Sequence, residues 1–90
     1  MRLDLLLKCL CFAKSRSLAA KGIEEGRALL NGSRAKASRE VKAGDVLELT
    51  SGGMKRKVRI REVPKGQVAK ASANDFYDVL DEVRVVDEPW

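Results

Sequence analysis

Asn31-Gly32 constrains this chain more than any other pair of residues. A two-residue type I′ hairpin needs positive φ at both central positions, which asparagine and glycine tolerate best. Ala28-Leu29-Leu30 just before it reads as a short strand, and residues 33–36 as its return. Upstream, Ser15 or Ser17 can cap a helix ending at Glu25, with Gly26 as the left-handed stop. Downstream, Val41-Lys42-Ala43-Gly44-Asp45 reads as a second turn leading into the strand Val46-Leu47-Glu48-Leu49. Between Ser15 and Asp45 there are thus a helix, a hairpin and a turn, with basic residues at each junction. This stretch is the candidate working surface.

The flanking segments supply the rest of a core. Leu3, Leu6, Leu7 and Leu10 recur at helical spacing and predict a helix over residues 3–12. Asp4 lies in its first turn, where the helix dipole favours an acid, and Lys8 follows one turn later as an i,i+4 partner. Leu5, Cys9 and Phe12 fall on a third side, either packed under the C-terminal segment or forming a protein-contact patch; packing is the expectation in so short a chain. Leu18, Ala19, Gly22 and Ile23 make the inner face of the second helix. Glycine there costs about 1 kcal/mol against alanine, so close approach of the two helices is the expected reason for it.

Gly52-Gly53 marks another hairpin, into a strand over residues 54–63. Val58 and Ile60 point one way along it, and Lys55, Lys57, Arg59 and Arg61 the other. Four cations on one strand face could track a phosphate backbone, or equally form a solvated face on an edge strand. Residues 64–73 read as a polar linker. Asn74 then caps a short acidic helix, with Phe76, Val79, Leu80 and Val83 on one side and Asp75, Asp78 and Asp81 on the other. A short tail follows, whose Trp90 can dock. The expected fold is α+β: two N-terminal helices packed on a small twisted, mainly antiparallel sheet, with a short C-terminal acidic helix. The expected division is 1–63 as the binding unit with its sheet extension, and 64–90 as linker, acidic helix and tail.

Charge and chemistry narrow the function. Residues 1–61 hold fifteen Lys/Arg against six Asp/Glu, net +9, and residues 62–90 hold three against seven, net −4. A basic body suggests a polyanionic partner. The chain has no histidine, and no dinucleotide fingerprint or phosphate-binding loop occurs. Asp4 and Asp45 read as structural acids, so binding rather than catalysis is expected, with no cofactor. Cys9 and Cys11, two apart on a helix, point in different directions and cannot bond to each other. With no histidine beside them they make no metal site, and both are expected to be reduced helix residues. No apolar run approaches the ~20 residues of a membrane span. Asp4 stands where a signal peptide would carry basic residues, so a cytoplasmic location is expected. Aromatic residues are 4% of the chain, too few for a single-strand stacking platform. A helix N-terminus and a hairpin bearing Lys and Arg suit phosphate and shape recognition of structured RNA.

Arg2-Leu3-Asp4, Leu7, Ser15-Arg16, Ala19, Ile23, Gly26, Asn31-Gly32, Lys36, Ser38, Val41 and Gly44-Asp45 stand in the order and spacing of a known module. Over about the first fifty residues the chain resembles the S-four, or alpha-L, RNA-binding domain. The start at Met1 and the overall length resemble the stand-alone heat-shock protein fifteen family and its relative, the quality-control factor P. The resemblance implies binding of ribosomal RNA and tRNA on large ribosomal subunits obstructed by peptidyl-tRNA, to recycle them or to help extend the stalled chain. It also implies RNA-facing roles for Arg2, Lys14, Arg16, Arg34 and Lys36, with Lys8 and Arg39 nearby. Asp4 would orient Arg2 or Arg16. The chain departs from the family it resembles at Leu5, where a basic residue is usual, and at or near Cys11 and Ser15, where another is. Its acidic end favours the short quality-control branch over the heat-shock branch, which carries a long basic tail. A general structured-RNA binder, a ribosome-assembly factor and a protein-interaction module stand as alternatives, and a monomer is expected.

Overall fold

A computed structural model describes residues 1–51 and 53–85. Gly52 of the second hairpin and the docking of Trp90 therefore lie outside the described residues. The elements run α1 (Leu3–Cys9), α2 (Arg16–Glu24), β1 (Ala28–Leu30), β2 (Ser33–Arg34), β3 (Val46–Ser51), β4 (Met54–Ile60), a 3-10 helix (Lys70–Phe76) and β5 (Tyr77–Arg84). The strands form one antiparallel sheet in the order β2-β1-β3-β4-β5.

The local signals explain most of this. Ser15 caps α2 by accepting the Leu18 N–H at 3.1 Å. Gly26 ends it at φ 78°, with the Gly26 N–H on Ile23 O and the Arg27 N–H on Gly22 O, the paired bonds that close a helix through a left-handed residue. Asn31 and Gly32 have φ 52° and 82°, as a type I′ turn requires. Asn31 also reaches the second turn: its Nδ2 donates to Asp45 Oδ1, and its Oδ1 accepts the Val46 N–H at 2.9 Å. The hairpin and the turn after it are thereby locked together.

Both helices cover one face of the sheet. Leu3, Leu6, Leu7 and Leu10 of the α1 segment and Ala19 and Ile23 of α2 pack with Ala28, Leu30, Leu47, Leu49, Val58 and Ile60. Each large side chain buried there contributes about 1.5–3 kcal/mol. On the opposite face Glu48 pairs across the sheet with Lys57, and Lys57 with Asp81.

The C-terminal segment departs from the sequence expectation. Residues 77–84 are a strand on β4, not an acidic helix. Their apolar positions fit helical spacing, but β4 offers an open edge of backbone donors and a row of cations. Arg56 meets Glu82 at 2.8 Å, Arg59 meets Asp78 at 3.5 Å and Arg61 meets Asp78 at 3.8 Å. Val58 pairs with Val79 and Lys57 with Asp81, so Leu80 is the extra residue of a bulge. Residues 64–69 are not a free linker either. The Val68 N–H donates to Cys9 O at 3.1 Å and Pro64 is buried. Cys9 is buried and Phe12 packs on Tyr77, ring centroids 5.0 Å apart, so packing under the C-terminal segment uses the third side of α1. The helix itself stops at Cys9. Cys11, expected within it, lies beyond its end in a left-handed conformation at φ 64° with its side chain exposed.

Candidate nucleic-acid interface

The interface is organised by one buried carboxylate at the start of α1. The Asp4 side chain is 5% exposed. Its Oδ1 accepts the Leu5 N–H at 2.8 Å and Arg2 Nε at 3.2 Å. Its Oδ2 accepts Arg2 Nη2 and Arg16 Nε, each at 3.2 Å. Arg2 and Arg16 come from opposite sides of the α1–α2 hairpin, and both side chains are about half exposed (49% and 47%). One acid thus holds two guanidinium groups by their inner edges and leaves the outer N–H donors directed to solvent. A guanidinium presents five donors in a planar fork, which suits phosphate oxygens.

Burial alone would raise the Asp4 carboxyl, but the hydrogen bonds from Arg16, the Leu5 N–H and Arg2, with the charge of Arg16, outweigh it and hold it below its ordinary 3.8. A depressed acid contributes stability above its unfolded value and loses it as pH falls through the lower folded one. Wild type is therefore expected to lose its stability advantage over Asp4→Asn as pH drops below about 4. Urea unfolding of both proteins between pH 3 and 7 checks this, and a constant difference across the range would contradict it.

The loop over residues 36–41 is fastened to the same helix end. The first N–H groups of α1, which lack partners within the helix, donate outside it: Leu3 to Arg39 O at 2.8 Å and Asp4 to Ala37 O at 3.1 Å. Arg2 forms an isolated antiparallel bridge with Glu40. Lys36 and Arg39, both exposed, therefore enter the surface beside Arg2 on an anchored backbone. Lys14 is exposed just before the Ser15 cap, two residues from Arg16.

Two sequence-predicted residues are partly committed elsewhere. Arg34 Nη2 donates to the carbonyl of Glu24, and its guanidinium lies over Gly26, where a Cβ would meet Cζ at 3.7 Å. Arg34 so caps the C-terminus of α2, a position the helix dipole favours for a cation. Lys8 does not pair with Asp4; its Nζ donates to Gln67 Oε1 at 3.3 Å. The two arginines have taken the Asp4 oxygens, and the 64–69 segment brings Gln67 to Lys8. Lys55, Lys57, Arg59 and Arg61 belong to β4 and the residue after it, and their acidic neighbours are those of β5 and Glu48. Gln67 went unremarked in the sequence, and no local pattern points to its contact fifty-nine residues away.

A helical hairpin closed over an antiparallel sheet, with two arginines held by one buried acid, defines a small α+β domain with a basic surface at the start of α1. A family profile described as the S4 domain matches residues 1–47. The RQC P-site tRNA stabilizing factor of Bacillus subtilis is 38% identical over 85 residues, covering 94% of this chain and 98% of its own. A Heat shock protein 15 homolog of Aeromonas salmonicida is 35% identical over 78 residues, 87% of this chain and 59% of its own. The structure of Vibrio cholerae Heat Shock Protein 15, described as trimeric, superimposes with a TM-score of 0.84 at 32% identity, covering 88% of this chain and 80% of that one. The chain belongs to the S4-domain family and groups within it with the RQC P-site tRNA stabilizing factors and heat shock protein 15.

Proposed function

We propose that the protein is a non-catalytic RNA-binding factor that engages ribosomal RNA and tRNA on stalled or obstructed large ribosomal subunits, in ribosome-associated quality control or recycling. The observation that carries the binding is the Asp4-held pair Arg2 and Arg16, pre-arranged and half exposed. Holding them fixed before contact lowers the ordering cost of binding. Lys14, Lys36 and Arg39 extend the surface, with Arg34 and Lys8 at its margins. The family relationship, including the printed name of the Bacillus subtilis relative, supports the ribosomal setting and hence the cytoplasm. The binding unit is residues 1–63. The cations of β4 serve first to hold the acidic β5, and any second RNA contact through Lys55, Lys57, Arg59 or Arg61 competes with those pairs. A single chain carries the whole cluster, which supports action as a monomer.

Sucrose-gradient fractionation tests the reading. The protein is expected to move with large subunits, more so after translation is stalled. A protein that stays at the top of the gradient under stalling would sink it.

A further inference from the structure

A second feature lies at the other end of α1 from the Arg2–Arg16 cluster. A cavity of about 220 Å³ is lined there by Cys11, Phe12, Arg56, Lys70, Asn74 and Tyr77, among others. One water needs roughly 10–15 Å³ of such space, so there is room for a group much larger than a single water.

Its walls divide by chemistry. Phe12 and Tyr77, tilted by 41°, supply aromatic surface. The Tyr77 hydroxyl donates to Asn74 Oδ1 at 2.9 Å, which leaves the Asn74 amide N–H groups for other acceptors. Burial raises the phenol above its ordinary value, so it stays a donor. Arg56 is steadied through its Nε by Glu82 and keeps further N–H donors. Lys70 is exposed and has no ion pair among the described residues.

The cavity is also tied to the arginine cluster. Lys8 stands one turn along α1 from Asp4 and bonds Gln67, whose Nε2 in turn lies 3.6 Å from Cys11 Sγ. Cys11 holds a left-handed backbone that a residue with a Cβ keeps only when its surroundings impose it. The Cys11 N–H on Lys8 O and the Cys11 thiol on Val68 O do so. The seven residues of α1 span about 10 Å, the reach of a few nucleotides.

We infer that this cavity receives one unstacked nucleotide of the RNA held by the Arg2–Arg16 cluster, its base against Phe12 and Tyr77 and its phosphate met by Arg56 and Lys70. The inference rests on the RNA-binding reading and adds a preference to it: an RNA helix with an unpaired nucleotide over a fully paired one.

Cys11 is exposed and Cys9 buried, so iodoacetamide alkylation of Cys11 reports whether the cavity is filled. Two RNA hairpins, alike except for a single-nucleotide bulge, are titrated by anisotropy and then added at saturation to the alkylation reaction. The bulged hairpin is expected to bind about tenfold more tightly and to slow Cys11 alkylation about tenfold, as one stacked base allows. AMP at the same concentration is expected to leave the rate unchanged. Lys70→Glu is expected to abolish the preference for the bulge. Equal affinities, with Cys11 reacting at its free rate in both complexes, would overturn the inference and leave RNA binding intact. Failure of both hairpins to bind would overturn the two together. Protection by AMP alone would make the cavity a free-nucleotide site and overturn its assignment to bound RNA.

Discussion

The double substitution Arg2→Ala/Arg16→Ala is expected to weaken binding of structured RNA by about a hundredfold at low salt, as two charge-assisted contacts to phosphate are lost. The slope of log affinity against log salt should become shallower by about two, one for each phosphate contact removed. Each single variant should lie near the midpoint on both measures. The double variant also leaves the buried Asp4 carboxylate without its two guanidinium partners, which costs stability, so circular dichroism first establishes that each variant is folded at the temperature of the titration. Arg16→Lys sharpens the test. Arg16 spends its Nε on Asp4 and keeps its Nη groups for solvent, whereas lysine has one nitrogen for both tasks. Arg16→Lys should therefore recover only part of the loss, although it restores the charge. An unchanged salt slope in the double variant would remove both residues from the interface.

The legible part of this protein is the part whose signals are local. Asn31-Gly32 announces its own backbone angles and Gly26 its left-handed stop, and both are found where the sequence puts them; of the two serines offered as the cap of α2, the structure uses Ser15. The leucine spacing of α1 likewise names its buried face. Contacts between distant segments leave no such trace. Asp4 bonds Arg16 twelve residues away and Lys8 bonds Gln67 fifty-nine away, and the nearer i,i+4 partner loses. Residues 77–84 show the same limit: their apolar spacing suits a helix, but the cationic edge of β4 decides for a strand. Tyr77, Val79 and Val83 carried the competing signal, since aromatic and β-branched residues favour strands. Phe12 is better placed by elimination, because so short a chain has few large residues to spare from packing.

Leu6→Ala is expected to cost about 2–5 kcal/mol of stability. Leu6 is fully buried among the leucines of α1 and the inner face of the sheet. Its loss removes apolar contact and leaves a cavity that close-packed neighbours only partly fill. The effect is large against a whole domain stability of about 5–15 kcal/mol. It should also be felt at the surface. A helix of seven residues is too short to persist without tertiary packing, and α1 carries Asp4 at its first turn and Lys8 at its last. Leu6→Met, which keeps nearly the same volume, should cost less than about 1.5 kcal/mol. Chemical denaturation of the three proteins measures the difference, and RNA affinity measured well below the unfolding midpoint separates lost fold from lost contacts. A Leu6→Ala protein as stable as wild type would mean that α1 is held chiefly by its polar ends, by Asp4 and the 36–41 loop, and not by its leucine face.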